Sequence, residues 1–305
     1  MYDIIGDVHG QVALLKKLLL KLGYEKSENG YFHVKRKAIF VGDFINRGSE
    51  IRKTIRLIRK MVKNGNAFAI LGNHEINAML LHLKDKSGKP LVKESRKNYL
   101  SLFKTINEFS NYPNEWKKHL QWMRRLPFFL ELKGIRIVHA CWSDSAVEVV
   151  KSALNEERSR KSIFREYYKN PKSELSKSIN ILTKGINLTM PGNLKVVNNK
   201  GVVPREFRLS WWENPDGKTF REMSFESKYK LPAYTVPKEI IPETFFYSEN
   251  EPIIFFGHYC RANGPHIINT NLCCVDSCVS GAKLLTAYSW SGEKVLNKKN
   301  LHQTN

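Results

Sequence analysis

The 305-residue chain is 42% hydrophobic, enough to bury one sizeable core. Its formal net charge is +21, from 50 Lys and Arg against 29 Asp and Glu; this favours anionic partners by long-range attraction, with phosphoproteins, nucleotides, RNA ends and acidic membranes all eligible. No apolar run approaches the ~20 residues that a membrane span requires, and the opening MYDIIGDVHG lacks the charged start and long apolar stretch of a secretory signal, so a cytoplasmic chain with no membrane span is expected, its oligomeric state open.

In chain order, short β-rich runs end repeatedly in a polar residue. Tyr2–Ile5 leads into Gly6-Asp7, and 38–41 into Gly42-Asp43. Residues 67–71 lead into Gly72-Asn73, Ile135–Val138 into His139, and Ile253–Phe256 into Gly257-His258. Such runs, without alternation, predict strands buried on both faces. Amphipathic helices lie between them, one with Val12, Leu15, Leu18, Leu19 and Leu22 on its apolar face, the next with Ile51, Ile55, Ile58 and Val62. The order strand, helix, strand, helix predicts an α/β sheet with helices outside.

Residues 84–134 read as a mainly helical insertion, with Trp116, Leu120 and Met123 at helical spacing. Residues 143–250 read as an irregular insertion rich in Lys, Pro and aromatics. Both are expected to cap the site within a single domain spanning 1–305. Towards the end, 272–276, 283–289 and 294–296 predict short strands, with Ser291-Gly292 as a turn.

In an open α/β sheet the ligand sits beyond the carboxyl ends of the strands, where all of these polar residues fall. Asp7 and His9 can point to one side of an extended turn, as two ligands of one ion would. Asp43 adds a carboxylate able to bridge two cations, Asn73 an amide oxygen, and His139 and His258 imidazole nitrogens. This mix suits manganese, iron or zinc better than calcium. The five cysteines are odd in number, and no CxxC pair stands opposite another. Small buried hydrophobes are expected, with neither a disulfide framework nor a zinc site.

The motifs GDVHG (6–10), GDFINRG (42–48), GNHE (72–75), His139 in IVHA and GH (257–258) occur in the order of the calcineurin-like metallophosphoesterases. The Arg-Gly after the second aspartate resembles the phosphoprotein phosphatase branch, which also includes bacterial diadenosine tetraphosphate hydrolases. The resemblance implies a metallophosphatase-type β-sandwich with flanking helices, four layers α/β/β/α. It implies two divalent ions, one held by Asp7, His9 and Asp43, the other by Asp43, Asn73, His139 and His258. It further implies His74 as general acid, Arg47 as phosphoryl clamp and, by looser similarity around Trp211-Trp212, Arg221 as a second phosphate-binding arginine.

Two positions depart from the family pattern. Asn46 replaces the aspartate that supports the acid histidine, and Cys260 stands where many relatives carry a further histidine ligand; a cysteine that binds no metal is expected there. His33, His82, His119, His266 and His302 read as ordinary surface or core histidines. The basic face carrying Arg52, Arg56, Arg59, Lys60 and Lys63 reads as solvated. The leading expectation is hydrolysis of phosphate monoesters, the alternative a dinucleoside polyphosphate hydrolase. A nucleic-acid-binding protein with a dormant metal site is the reading from another class.

Overall fold

The computed structural model describes residues 1–85, 87–92, 96–155, 159–190, 197–198, 206–225, 229–231, 233–237, 241, 247–260 and 265–304. The chain forms two compact units, Met1–Thr183 with Pro252–Asn305, and Lys184–Glu251. It begins with β1 (Tyr2–Ile5), α1 (Val12–Lys21), a hairpin of β2 (Glu25–Ser27) and β3 (Gly30–Phe32), β4 (Lys37–Phe40), α2 (Ile51–Lys63), β5 (Ala67–Ala69) and α3 (Asn73–Leu81). Helices α4 (Arg96–Phe109) and α5 (Pro113–Met123) precede β6 (Phe129–Leu132) and β7 (Ile135–Val138). Then come α6 (Asp144–Asn155), α7 (Arg160–Lys169) and α8 (Glu174–Lys184). The second unit holds β8 (Asn187–Thr189), β9 (Val197–Asn198), β10 (Glu206–Arg208), α9 (Phe220–Met223) and β11 (Tyr229–Lys230). The first unit resumes with β12 (Ile253–Phe256), β13 (His266–Ile267), β14 (Leu272–Cys274), α10 (Val279–Ala282), β15 (Thr286–Trp290) and β16 (Leu301–Gln303).

Two five-stranded sheets build the first unit, in the orders β16-β15-β1-β4-β5 and β13-β14-β12-β7-β6. Strands β1, β4 and β5 are parallel, with Tyr2 opposite Lys37 and Ala38 opposite Ala67. Strands β7, β12 and β14 are likewise parallel. One core joins the sheets: Ile4, Ile39 and Tyr288 of the first pack with Ile137, Phe255 and Cys273 of the second. Period-two alternation sends Ile5 and Phe40 to the opposite face, where they are equally buried. Burial on both faces is why these strands lack an alternating pattern. The helices supply the outer layers, α1 burying Val12, Leu15, Leu18 and Leu19, and α2 burying Ile51, Ile55, Ile58 and Met61. The architecture is the expected mixed α/β sandwich with helices outside.

Four expectations need correction. The start of 143–250 is helical, because Ala146, Val147, Val150 and Ala153, then Ile163, Phe164 and Tyr167, then Leu175, Ile179 and Leu182 each form a buried helical stripe. The end of 84–134 contributes β6, which pairs antiparallel with β7 and edges the second sheet. Residues 294–296 form no strand; β16 pairs with β15 instead, Ala287 opposite His302. The cysteines are not all thiols: Cys260 and Cys278 form a disulfide, their Cα atoms 4.9 Å apart, whereas Cys141, Cys273 and Cys274 are free and buried. Cys260 follows β12 and Cys278 follows β14, and the parallel pairing of these strands brings the two together.

Helix α5 is tied to α2 by one carboxylate. Glu115 accepts from Arg52 Nε at 3.0 Å and Arg56 NH2 at 2.7 Å. Burial opposes its ionisation, yet the Arg56 and Arg52 guanidiniums hold the carboxyl down at about 2. A carboxyl depressed on folding stabilises fully above its unfolded value near 4.5, and that stability is lost as pH falls towards 2. Glu115→Gln is therefore expected to cost on the order of 1 kcal/mol at pH 7 after solvent screening. The loss should shrink towards zero near pH 2, read as the difference in urea midpoints. A cost that does not change with pH would contradict the clamp.

Candidate metal centre

The predicted ligands converge at the carboxyl ends of the strands. Asp7 and His9 follow β1, Asp43 follows β4, Asn73 opens α3 after β5, His139 follows β7 and His258 follows β12. Their loops are sharply turned. Five of the seven non-glycine residues with positive φ among the described residues are His9, Asp43, Asn46, Arg47 and His258. Such conformations cost of order 1–3 kcal/mol each and persist where surroundings over-determine them. Close approach fixes the adjacent glycines: a Cβ on Gly72 would stand 2.2 Å from Asp43 Oδ1, and one on Gly257 2.2 Å from Asp7 Oδ1.

Asp43 is the centre of the cluster. Its Oδ2 lies 3.5 Å from His139 Nε2 and 3.8 Å from both His9 Nε2 and His74 Nε2. Its Oδ1 accepts the His74 backbone N–H at 2.9 Å. Two overlapping donor groups result, His9–Asp43–His74 and Asp43–His139–His258, with the ligand atoms of each within 4.8 Å of one another. Beside them, both Asp7 oxygens face the His258 N–H, at 3.3 and 3.4 Å. Asn73 Oδ1 lies 3.2 Å from His139 Nε2. The group around His9 thus holds His74, whereas Asp7 lies against the His258 backbone N–H.

Two observations show that this set suits divalent cations. First, His9 Nδ1 lies 3.0 Å from the Ile45 carbonyl and His139 Nδ1 2.7 Å from the Val41 carbonyl. A carbonyl only accepts, so each Nδ1 carries a proton and each Nε2 is the nitrogen turned to the cluster, where it offers a lone pair to a cation once its own proton is displaced. Second, Asp7, Asp43 and Asp276 are all buried. Burial, then Asp276 and then Asp43 push the Asp7 carboxyl well above its usual range. Asp43 goes the other way: although burial opposes ionisation, the His139, His74 and His9 imidazoles hold it well below. A crowd of buried carboxylates with mutual repulsion is the environment that a cation relieves.

His74, with Arg47 and Asn46 on either side of its ring, adjoins the cluster. Burial is the largest influence on His74, and with the Arg47 guanidinium it lowers the imidazole despite the pull of Asp43. Arg47 NH2 lies 3.5 Å from His74 Nε2. On the other side of the ring, Asn46 Nδ2 is 2.6 Å from His74 Nδ1. Thr105 on α4 packs its hydroxyl against Asn46, accepting the Asn46 backbone N–H at 3.2 Å and donating to Asn46 Oδ1. With the amide turned this way, Nδ2 donates to His74 Nδ1 and the proton of the neutral ring sits on Nε2, towards Asp43 Oδ2. Arg221 belongs to the second unit, where it lies on α9 and its Nε donates to the Leu231 carbonyl at 3.1 Å.

Sequence reasoning missed Glu75, Thr105 and Asp276. Glu75 is fully buried, and its carboxylate accepts the N–H groups of Asp43 (2.8 Å), Phe44 (3.1 Å), Ile45 (3.3 Å) and Gly72 (3.0 Å). It knits the Asp43 loop to the Asn73 loop. The available signal was its position three residues beyond Gly72, where a helix-opening glutamate reaches back to the cap. Burial, then Asp43, push its carboxyl up to about 8. Glu75→Ala would orphan several buried donors at 1–3 kcal/mol each, so a loss of about 4 kcal/mol is expected in chemical denaturation. A loss below about 1 kcal/mol would refute the role.

A family model for calcineurin-like phosphoesterases matches residues 2–262. The chain belongs to the calcineurin-like phosphoesterase family. This is a family of hydrolases acting on phosphoric esters through a binuclear divalent metal centre, and the Asp and His groups here are of the kind it uses. The chain is 33% identical over 139 residues to an asymmetrical bis(5'-nucleosyl)-tetraphosphatase of Oceanobacillus iheyensis, covering 45% of this chain and 54% of the relative. It is 34% identical over 140 residues to a symmetrical bis(5'-nucleosyl)-tetraphosphatase of Wigglesworthia glossinidia brevipalpis, covering 45% and 43%. It therefore spans about half the length of the curated relatives it matches. Among solved structures, a cold-active protein-tyrosine phosphatase of a Shewanella species shares the fold, with a TM-score of 0.50, 16% identity, and coverage of 94% of this chain and 75% of that one. Among the described residues of this family member, no helix is long and apolar enough to cross a membrane.

Proposed function

We propose that this calcineurin-like phosphoesterase hydrolyses a phosphoric anhydride of the dinucleoside polyphosphate class. Asp7, His9 and Asp43 would hold one divalent cation, and Asp43, Asn73, His139 and His258 the other; the oxygen and imidazole donors suit manganese, with iron or zinc as alternatives. When bound, such a pair supplies an activated hydroxide and neutralises charge on the phosphoryl group. The Arg47 guanidinium binds the phosphoryl oxygens, a planar fork matched to phosphate geometry, with Arg221 as the proposed second arginine.

The observation that carries the substrate class is the Asn46–His74 hydrogen bond. An imidazolium needs a proton on Nδ1, where Asn46 Nδ2 already donates. Neutral His74 cannot release its Nε2 proton without becoming an anion, so it stabilises the leaving oxygen by hydrogen bonding. A nucleotide phosphate departs readily as an anion, whereas an alkoxide needs the proton. The relatives that act on bis(5'-nucleosyl) tetraphosphates support the same choice.

The second reading is phosphate monoester hydrolysis, favoured by the Arg47-Gly48 that follows Asp43 in the manner of the protein phosphatases. The manganese-loaded chain should be offered diadenosine tetraphosphate, a serine phosphopeptide, p-nitrophenyl phosphate and RNA with terminal phosphates. Diadenosine tetraphosphate is expected to turn over fastest, and its products distinguish asymmetrical cleavage to ATP and AMP from symmetrical cleavage to ADP. A faster phosphopeptide would establish the second reading instead. Failure to cleave any of the four would leave the dormant, nucleic-acid-binding reading.

A further inference from the structure

Helix α5 is flanked by three adjoining grooves outside the metal centre. The largest, about 640 Å³, has Leu83, Ile106, Phe109, Trp116 and Leu120 in its lining. Lys84, Lys117, Arg124, Lys161 and Arg165 also line it, without any Asp or Glu. Arg124 is half-buried, and its buried Nε has no hydrogen-bond partner among the described residues. Burial, then the nearby Arg165 guanidinium, lower Arg124 below its ordinary value. Arg165 donates from Nε and NH2 to the Lys84 carbonyl at 3.1 and 2.9 Å, so an anion would meet its remaining N–H groups together with the unsatisfied Arg124 Nε.

The other two grooves continue this surface. One is lined by Arg59, Lys63, Lys118, Arg125, Gln121 and Trp122, again without a carboxylate. Gln121 joins it to the first groove, and Arg59, Lys63 and Lys118 join it to the third. Among the described residues, the only acid in the third is Glu115, already held by Arg52 and Arg56. Trp122 is partly exposed among these cations, as is His82 in the first groove.

We propose that this belt binds a single-stranded nucleic acid. Cations lining the grooves offer partners for backbone phosphates, and the partly exposed aromatic rings among them offer faces for stacked bases. Because the cations line recesses, a flexible strand fits them better than a rigid duplex does. A membrane surface is disfavoured, since Leu83, Phe109, Trp116 and Leu120 are buried and do not protrude. The proposal is independent of the phosphoesterase reading.

The test is fluorescence anisotropy of a labelled 20-nucleotide RNA lacking terminal phosphates, titrated with the full chain over a range of salt concentrations. Two variants remove belt charge: Lys118→Gln/Arg125→Gln, which changes exposed side chains only, and the same pair with Arg124→Gln. The control, Lys294→Gln/Lys298→Gln, removes equal charge from exposed positions outside the belt. The triple variant is expected to weaken binding at least tenfold and to flatten the log Kd against log salt slope by about 2, at ~0.7 per lost phosphate contact. The double variant should give an intermediate loss and the control little. Equal losses in control and double variant would reduce the effect to net charge and overturn the proposal. It would equally be overturned if duplex RNA, poly-glutamate or phosphatidylserine vesicles displaced the strand as well as unlabelled RNA does.

Discussion

Asp43→Asn is expected to lower kcat at least 10³-fold and to reduce bound metal from two ions per chain to one or none. A 10³-fold loss corresponds to about 4 kcal/mol of transition-state stabilisation. The amide is isosteric and keeps an oxygen for the His74 N–H that Asp43 Oδ1 now accepts at 2.9 Å. What disappears is the negative charge that faces three imidazole nitrogens at 3.5–3.8 Å. Stability should separate the site from the scaffold. Without metal two effects oppose: the substitution removes a charge that pushes up both Asp7 and Glu75, but also an ionised carboxylate that the imidazoles hold well below its usual range, so the apo variant should unfold somewhat more easily than the parent at pH 7. With manganese the parent should gain stability and the variant should gain much less, since only a ligand bound to the folded state stabilises it. Calorimetry with and without manganese, alongside metal counting by mass spectrometry, reads both effects. Full activity with two ions bound would remove Asp43 from the bridging position.

The candidate ligands were legible because of where they fall. Strands buried on both faces read as continuous apolar runs, and each run of this kind stops at a polar residue just where a parallel sheet presents its ligand edge. That reasoning needs only local patterns, and it located Asp7, Asp43, Asn73, His139 and His258. Glu75 escaped although it adjoins His74 in the same motif, because its task is to satisfy backbone N–H groups. Donors without partners cannot be seen before the loops that carry them are folded. Thr105 escaped for a different reason. It meets Asn46 from a helix 59 residues further along the chain, and no period within α4 marks one threonine as facing the site. Helices α6 to α8 were obscured by composition: the 143–250 segment as a whole is rich in Lys, Pro and aromatics, which weighed more than the spacing of Val147, Val150, Ile163 and Ile179. The Cys260–Cys278 pair depended on β12 lying beside β14, a long-range fact that an odd cysteine count conceals.

Asn46→Asp is expected to raise turnover of phosphate monoesters with poor leaving groups about tenfold or more, while changing diadenosine tetraphosphate hydrolysis by less than about threefold. The reasoning follows the hydrogen bond. At present Thr105 donates to Asn46 Oδ1, and Nδ2 faces His74 Nδ1 at 2.6 Å. A carboxylate at position 46 can only accept, so His74 must place a proton on Nδ1 and its imidazolium gains a partner. Burial, with help from Arg47, now lowers His74, so its charged form requires a pH below the ordinary histidine value. An adjacent carboxylate moves that titration upward by about 1–2 units. For an acid that must be protonated, activity falls as pH rises through its pKa. The variant should therefore retain monoesterase activity to higher pH than the parent, with the alkaline limb displaced by the same 1–2 units. Thr105→Val supplies the complementary case: without the hydroxyl the Asn46 amide is free to rotate and offer Oδ1 to Nδ1–H, giving a smaller change in the same direction. Thr105→Ser, which keeps the hydroxyl, should leave the profile where it is. Superimposable pH profiles for parent and Asn46→Asp on a poor-leaving-group ester would mean that leaving-group protonation does not pass through this histidine.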